Sequence, residues 1–171
     1  MTEEQKNVKN VFICCTFTAV LMLLILLVGK PVEVSGSSME PNYRSGDFLM
    51  MEKVSLYRDA LKRFDVVVFP DPSGKLLIKR IIGLPGETIR IDEDGSIYVD
   101  GEVLKEGYGK ETIKPVRENG EDNLGYAREE IVLGKDEYFV LGDNRNDSED
   151  SRFIGPVKLS DMKGKIWFRI I

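Results

Sequence analysis

Leu76-Leu-Ile-Lys-Arg-Ile-Ile82 is an apolar run of seven residues with two adjacent cations at its centre. Turn signals lie on both sides of it, Asp71-Pro-Ser-Gly74 before the run and Leu84-Pro-Gly86 after it. An apolar run of this length between turns predicts a β-strand. Successive side chains of a strand point to opposite faces, so Lys79 and Arg80 are expected on different sides of a sheet.

The apolar setting of Lys79 has a chemical and a structural interpretation. Apolar neighbours keep water away from an ammonium group, which disfavours the charged form and lowers the pKa. A neutral lysine amine can take a proton from a serine hydroxyl. The structural alternative is a lysine that protects a strand edge from pairing with another chain.

Further short apolar runs predict strands along most of the chain. These runs are Asp47–Val54, Asp65–Phe69, Thr88–Ile91, Ser96–Val99, Glu137–Leu141 and Lys165–Ile171. Brief helices are predicted at Ser55–Lys62 and Leu159–Met162, whereas residues 105–130 have no sustained period. The predicted fold is mainly β, a coiled and partly closed antiparallel sheet with a small flap at about 92–136.

A charge-free segment near the N-terminus predicts a transmembrane helix. Val11–Val28 is a stretch of eighteen uncharged residues between Lys9 and Lys30. That length is at the lower end of what crosses a hydrocarbon core of about 30 Å. No small-x-small cleavage site follows, which favours a retained anchor at 11–29 over a cleaved signal peptide. The weak charge bias favours a cytoplasmic tail at 1–10 and places residues 30–171 outside the membrane.

Composition excludes several kinds of active site. The 171 residues include no histidine, so a Ser-His-Asp triad, a Cys-His pair and a histidine zinc site are all ruled out. The net charge is −5 without a basic stripe, which argues against nucleic acid as a partner. The two cysteines, Cys14 and Cys15, are neighbours inside the apolar segment, so neither a disulfide nor a cysteine metal site is expected. We expect no metal and no cofactor.

Two further segments could carry chemistry. Ser35-Gly-Ser-Ser-Met-Glu-Pro41 can form a tight turn that presents a serine hydroxyl beside backbone N–H groups, although such runs are usually linkers. Ser38 would lie within about 28 Å of the membrane even in a fully extended chain. Gly142-Asp-Asn-Arg-Asn-Asp-Ser-Glu-Asp-Ser-Arg152 holds four carboxylates and two arginines.

Three interpretations of the segment 142–152 are open. It could be a solvated loop, or a loop fixed by Asp–Arg pairs whose serine hydroxyl holds a catalytic lysine. A calcium loop is the third, but Arg145 stands where a ligand is expected and Ser148 where a glycine is expected.

Four segments, in this order behind an N-terminal anchor, resemble the type I signal peptidases. They are Gly-Ser-Ser-Met-Glu-Pro (36–41), Arg-Phe-Asp-Val-Val-Val-Phe (63–69), Lys-Arg-Ile-Ile-Gly-Leu-Pro-Gly-Glu (79–87) and the segment 142–152. The short chain with one span is similar to the Gram-positive bacterial branch. The branch found in the endoplasmic reticulum uses histidine as its base, which this chain does not contain.

The resemblance implies roles for individual residues. Ser38 would be the nucleophile, with its backbone N–H in the oxyanion hole, and Lys79 would be the general base. Ser148 would hydrogen-bond Lys79 and orient it. The supporting ion pairs would be Asp150 with Arg152 and Asp143 with Arg80.

The chain departs from the Gram-negative pattern beside the nucleophile. Gly36 stands where that pattern has a serine that assists the oxyanion hole, so Ser37 or backbone groups alone would supply the second donor. Phe64 stands where the family usually has glycine, and the short flap replaces the second domain of larger relatives.

The resemblance also implies substrate, place and partners. Residues 30–171 would form an extracytoplasmic catalytic domain that cleaves signal peptides from preproteins after small residues at positions −1 and −3. The enzyme would act at the bilayer, near the secretion translocon of a bacterial cell membrane.

The walls of the substrate pockets and two rival functions stay open. Val32, Val34 and Ile78 are expected to form shallow apolar pockets, with ordinary core packing as the alternative. The residues 48–51 could rest on lipid or form a core strand. A self-cleaving Ser-Lys protease and a non-catalytic membrane-tethered β-module are the two rivals.

Overall fold

The N-terminal part of the chain is one long helix. The computed structural model describes residues 3–57 and 61–171, with residues 4 and 23–28 described by their backbone alone. Helix α1 runs over Glu3–Val28, so it begins within the tail predicted at 1–10. Within the described ranges, no helix combines the length and the apolar character needed to cross a bilayer. The transmembrane helix predicted at 11–29, part of which falls on undescribed side chains, is therefore not confirmed.

Residues Pro31–Ile171 form a second compact unit made of two sheets. The seven-stranded sheet has the order β1-β2-β11-β3-β4-β9-β10, and the four-stranded sheet has the order β7-β6-β5-β8. The strands are β1 Gly29–Glu33, β2 Phe48–Glu52, β3 Val66–Pro70, β4 Leu76–Gly83, β5 Thr88–Ile91, β6 Ile97–Val99, β7 Glu102–Val103, β8 Ile131–Val132, β9 Glu137–Leu141, β10 Val157–Lys158 and β11 Gly164–Arg169.

The mainly antiparallel β prediction is confirmed, but neither sheet closes on itself among the described residues, so the expected partial closure is not confirmed. The small sheet contains β5 to β8 and has its own apolar core, to which Ile89, Ile91 and Ile97 contribute. Because those strands satisfy their hydrogen bonds among themselves, they form a separate layer rather than a continuation of the main sheet. This layer begins at Thr88, a few residues before the predicted start of the flap at 92.

Strand β4 lies inside the main sheet, where both of its edges are paired. Val67 of β3 lies opposite Lys79, and Leu141 of β9 lies opposite Arg80, each in antiparallel register. The alternative of an edge-protecting lysine is therefore excluded. The strand suits this central position because five of its eight residues are apolar and its residues from Ile78 to Gly83 are buried.

Strand β2 decides between the two interpretations of residues 48–51. Leu49, Met50 and Met51 are buried, and Phe48 is 39% exposed. Leu49 and Met51 pack in the same core cluster as Val34, below the turn that carries Ser38. Three of the four residues thus belong to a core strand.

The short elements agree in part with the predictions. A 3-10 helix at Leu159–Asp161 confirms the predicted turn of helix, and another at Val54–Tyr57 covers the start of the segment predicted at Ser55–Lys62. Residues 58–60 of that segment lie outside the described residues. Residues 105–130 contain a 3-10 helix at Gly125–Arg128 and an isolated bridge between Val116 and Asp122. A four-residue helix, α2, at Ser151–Ile154 was not predicted.

Candidate active site

The turn after β1 and the middle of β4 bring Ser38 and Lys79 together. Lys79 Nζ donates to Ser38 Oγ at 2.7 Å, although the residues are 41 positions apart in the chain. Lys79 is 2% exposed. Gly36 begins the turn with a φ of 96°, a backbone conformation that glycine adopts without strain.

Burial lowers the pKa of Lys79 from its ordinary value of 10.5 to about 8. The negative charge of Asp150 acts in the opposite direction, and the positive charges of Lys75 and Arg152 act with burial. A substantial fraction of the amine is therefore neutral near pH 8. In the neutral form, the same 2.7 Å contact can carry the hydroxyl proton from Ser38 to Lys79.

Ser148 does not make the hydrogen bond to Lys79 that the resemblance implied. Its Oγ is buried, and none of the described hydrogen bonds joins it to Lys79. Lys79 is engaged by Ser38 instead, and Ser148 packs against the Cα of Gly142. The direct hydrogen bond from Ser148 to Lys79 is thus not among the described contacts, and the orienting role of Ser148 stays a prediction.

Two buried ion pairs hold the catalytic loop, residues 142–152. Arg80 donates to Asp143 through Nε at 2.8 Å and through Nη2 at 2.6 Å. Arg152 donates to Asp150 through Nε at 2.8 Å and through Nη2 at 2.9 Å. The structure thus brings together both pairs named from the sequence. Each is a bidentate charge-assisted contact, the geometry that fixes a loop most firmly.

The carboxyl group of Asp150 stays ionised in the interior. Burial, the largest single influence, would raise the pKa of Asp150, but the Arg152 charge and the hydrogen bonds to the carboxylate together hold the pKa below its ordinary value. Asp150 Oδ2 also accepts from the Gly142 N–H at 3.0 Å, which ties the two ends of the loop together.

Sequence reasoning missed three asparagine and aspartate residues that contact the site. Asn144 contacts the turn of Ser38 through two hydrogen bonds, and Asp147 accepts from Ser37 Oγ at 2.6 Å. Asn123 accepts from Arg152 Nη1 at 3.0 Å. The only signal for Asn144 and Asp147 was their place within the loop 142–152. Asn123 lies in the segment 105–130, where the pattern gave no signal.

A groove of about 190 Å³ passes the Ser38–Lys79 pair. Val32, Val34 and Ile78 all line it, as the sequence predicted, and Ser37, Ser38 and Lys79 line it as well. Val34 and Ile78 also belong to a core cluster, against which Val32 packs. The core thus forms part of the wall of the groove, and the substrate-binding role of these three residues stays a prediction.

The calcium-loop alternative does not fit the geometry of the loop. Asp143 and Asp150 are each occupied by an arginine. Within residues 3–57 and 61–171, no group of three or more histidine, cysteine or acidic residues could hold a metal ion.

Comparisons with known proteins show the family of the chain. The family model described as "Signal peptidase, peptidase S26" matches residues 6–171. Signal peptidase I V of Bacillus subtilis (strain 168) is 38% identical over 138 residues, which cover 78% of this chain and 81% of that protein. Signal peptidase I of Bacillus caldolyticus is 37% identical over 157 residues, which cover 88% of this chain and 84% of that protein.

A solved structure of a signal peptidase I from Enterococcus faecalis V583 is also similar, with 33% identity and a TM-score of 0.49. That match covers 63% of this chain and 97% of the solved chain. From the family model and the Bacillus relatives, the protein is a serine peptidase. The chain belongs to the S26 family of signal peptidases.

Proposed function

We propose that this peptidase removes signal peptides from secreted preproteins with Ser38 as nucleophile and Lys79 as general base. The observation that carries the proposal is the 2.7 Å contact between Ser38 Oγ and the buried Nζ of Lys79. In a chain without histidine, a lysine with a pKa of about 8 is the base best suited to neutral pH.

The dyad would act in two covalent steps. Ser38 Oγ attacks the scissile carbonyl carbon, its proton passes to neutral Lys79, and the electron pair of the carbonyl π bond moves to oxygen. When this tetrahedral intermediate collapses, the C–N bond breaks and the leaving amine takes the proton from Lys79. Water then attacks the acyl-enzyme ester with Lys79 again as base, which releases the signal peptide and restores Ser38.

The backbone N–H of Ser38 is the donor proposed for the developing oxyanion. Of the two other candidates near it, Gly36 has no side chain, and the Ser37 hydroxyl already donates to Asp147 at 2.6 Å. Since a hydroxyl has a single proton, Ser37 is not available as a second donor in this arrangement. Backbone groups alone therefore best fit the role.

The buried ion pairs Arg80–Asp143 and Arg152–Asp150 are proposed to hold the catalytic loop against the nucleophile turn, which is the turn at residues 35–41 that carries Ser38. Both connect the loop to itself or to β4, the strand of Lys79. Neither ion pair makes a hydrogen bond to Ser38 Oγ or to Lys79 Nζ. The proposed role of both pairs is therefore positioning rather than proton transfer.

The groove is proposed to select small side chains at positions −1 and −3 of the preprotein. Its apolar wall comes from Val32, Val34 and Ile78, and its volume of about 190 Å³ is small. Shallow apolar pockets accept alanine-sized side chains and exclude larger ones.

The place of action proposed here is the outer face of a bacterial cytoplasmic membrane, near the secretion translocon. It rests on the sequence, in which eighteen uncharged residues at Val11–Val28 stand between Lys9 and Lys30. Protease protection of cells that express the full chain tests it. Digestion of residues 30–171 only from outside the membrane supports the topology, and digestion only after lysis contradicts it.

A cleavage assay with defined substrates tests the function and separates its two rivals. The purified full chain in detergent is incubated with a preprotein that has alanine at −1 and −3, and with variants that have leucine at either position. Mass spectrometry of the products is expected to give one cut after position −1 and at least about tenfold slower cleavage of both leucine variants. Cleavage of the enzyme's own chain alone would favour the self-cleaving protease, and binding without cleavage would favour the non-catalytic module.

A further inference from the structure

Asn144 of the catalytic loop holds the two peptide groups on either side of the Ser38 Cα. Its backbone N–H donates to the carbonyl of Ser38 at 3.0 Å, and its side-chain Nδ2 donates to the carbonyl of Ser37 at 3.3 Å. Asn144 is 7% exposed, so these bonds are shielded from water. A third contact, from Ser37 Oγ to Asp147, joins the same loop to the same turn.

The bond to the Ser37 carbonyl determines where the Ser38 N–H points. The peptide between Ser37 and Ser38 is trans, so its N–H and its C=O point in opposite directions. With the carbonyl held by Asn144 Nδ2 and by the N–H of Glu40, the Ser38 N–H is turned away from the catalytic loop. None of the hydrogen bonds found among the described residues uses that N–H.

We propose that Asn144 is a positioning residue for the oxyanion hole: its side-chain amide orients the Ser37–Ser38 peptide and so aims the Ser38 N–H at the substrate. Asp147 supports it by fixing the Ser37 side chain. The inference rests on the proposed function, because it takes Ser38 as the nucleophile whose N–H receives the oxyanion. A donor that is preorganised in this way acts without a cost of reorganisation during the reaction.

A peptide aldehyde and the matching peptide alcohol test the proposal on the full chain in detergent. Ser38 adds to the aldehyde carbon to give a hemiacetal, which places an oxygen where the oxyanion develops. The alcohol occupies the same groove without forming that bond. Asn144→Ala and the isosteric Asn144→Asp are compared with wild type. Both keep the backbone bond to Ser38, and the carboxylate of the second cannot donate.

Asn144→Ala is expected to lower kcat by at least about tenfold with KM within about twofold. Aldehyde inhibition is expected to weaken by the same factor as kcat/KM, with alcohol inhibition and the pH midpoint of kcat/KM unchanged. Asn144→Asp is expected to lose at least as much kcat and aldehyde inhibition as Asn144→Ala. Because it has nearly the same shape as asparagine, it also keeps the test valid if the alanine variant does not fold.

Asn146→Ala is the matched control. Asn146 lies in the same loop, but its amide contacts Glu111, Lys114 and Asn123 of the flap rather than the turn. The ratio of aldehyde to alcohol inhibition is expected to stay at the wild-type value in this variant.

Two results would overturn the proposal. One is a folded Asn144→Asp variant with wild-type kcat, and the other is an equal loss of aldehyde and alcohol binding. Ser38→Ala, assayed in parallel, separates a failure of the positioning role of Asn144 from a failure of the proposed function. If Ser38→Ala is inactive and the Asn144 variants are normal, the positioning role alone fails. If Ser38→Ala stays active, both the proposed function and the positioning role fail.

Discussion

At the scale of single residues, the proposed chemistry depends on one lysine, Lys79, that is buried away from water. Lys79 was recognisable in the sequence because it interrupts an apolar strand, and its lowered pKa follows from that burial. Its partner was not recognisable from periodicity, since Ser35 to Ser38 contains several serines in a linker-like composition. Only the resemblance to a family named Ser38, because a contact across 41 positions leaves no local pattern.

The lowered pKa of Lys79 predicts how activity depends on pH. The base must be neutral, so kcat/KM should rise with pH through about 8 and then level off. Rates measured from pH 6 to 10 on a fixed preprotein check this. A profile that is flat over that range, or a midpoint at the ordinary lysine value of 10.5, would contradict the assignment.

The same pKa predicts a gain in stability when the charge is removed. Folding lowers the pKa of Lys79 from 10.5 to about 8, so below pH 8 its protonated form destabilises the folded state by about 3 kcal/mol. Between pH 8 and 10.5 the unfolded chain binds more protons, and wild-type stability rises. The advantage of Lys79→Met in urea unfolding should therefore shrink by about 3 kcal/mol from pH 7 to 10.5. An advantage that does not change with pH would show that the lysine is not desolvated.

At the scale of elements, the loop of residues 142–152 and the turn that carries Ser38 fit closely against each other. From the residues alone, a loop fixed by Asp–Arg pairs was one of three interpretations, and the resemblance named the pairs. The motifs do not specify the backbone atoms on which the fit of this loop depends. The carbonyl of Ser38 and the side chain of Ser148 both lie against the Cα of Gly142.

Gly142→Ala tests that fit. A Cβ at Gly142 would lie 2.5 Å from the Ser38 carbonyl oxygen and would also collide with Ser148. Because the first of these neighbours is backbone, the turn must move, and we expect at least about tenfold lower kcat and a loss of about 1–3 kcal/mol in unfolding free energy. Gly107→Ala, at a site with open space around it, is the control and should match wild type in both. Wild-type kcat in Gly142→Ala would contradict the tight fit.

At the scale of the whole molecule, residues 105–130 have little regular structure and are held by buried apolar side chains, those of Ile113, Leu124 and Ala127, and by polar contacts. Asn123 is buried and connects this segment to the site by accepting from Arg152 Nη1 with both its side chain and its backbone oxygen. No pattern in the sequence predicts such a contact. The strands could be predicted because alternating apolar residues and turn residues are visible within a few positions of the sequence. The division into two sheets could not, because it depends on which distant strands pair with each other.

Asn123→Leu tests this connection through stability. The change leaves one acceptor fewer for a fully buried guanidinium, which should cost about 1–3 kcal/mol in chemical denaturation. Asn119, an exposed asparagine nearby, accepts from the N–H of Glu121, and Asn119→Leu should cost less than about 0.5 kcal/mol. Equal losses in the two variants would mean that the buried contact contributes nothing specific.

The central claim is that Ser38 and Lys79 act together as nucleophile and base. Its most direct test is the preprotein cleavage rate at pH 8 of Ser38→Ala and Lys79→Ala, with Ser73→Ala and Lys135→Ala as exposed controls of the same residue types. We predict that both dyad variants lose at least about a thousandfold in rate while keeping cooperative thermal unfolding, and that the controls cleave like wild type. Wild-type cleavage by either folded dyad variant would contradict the account.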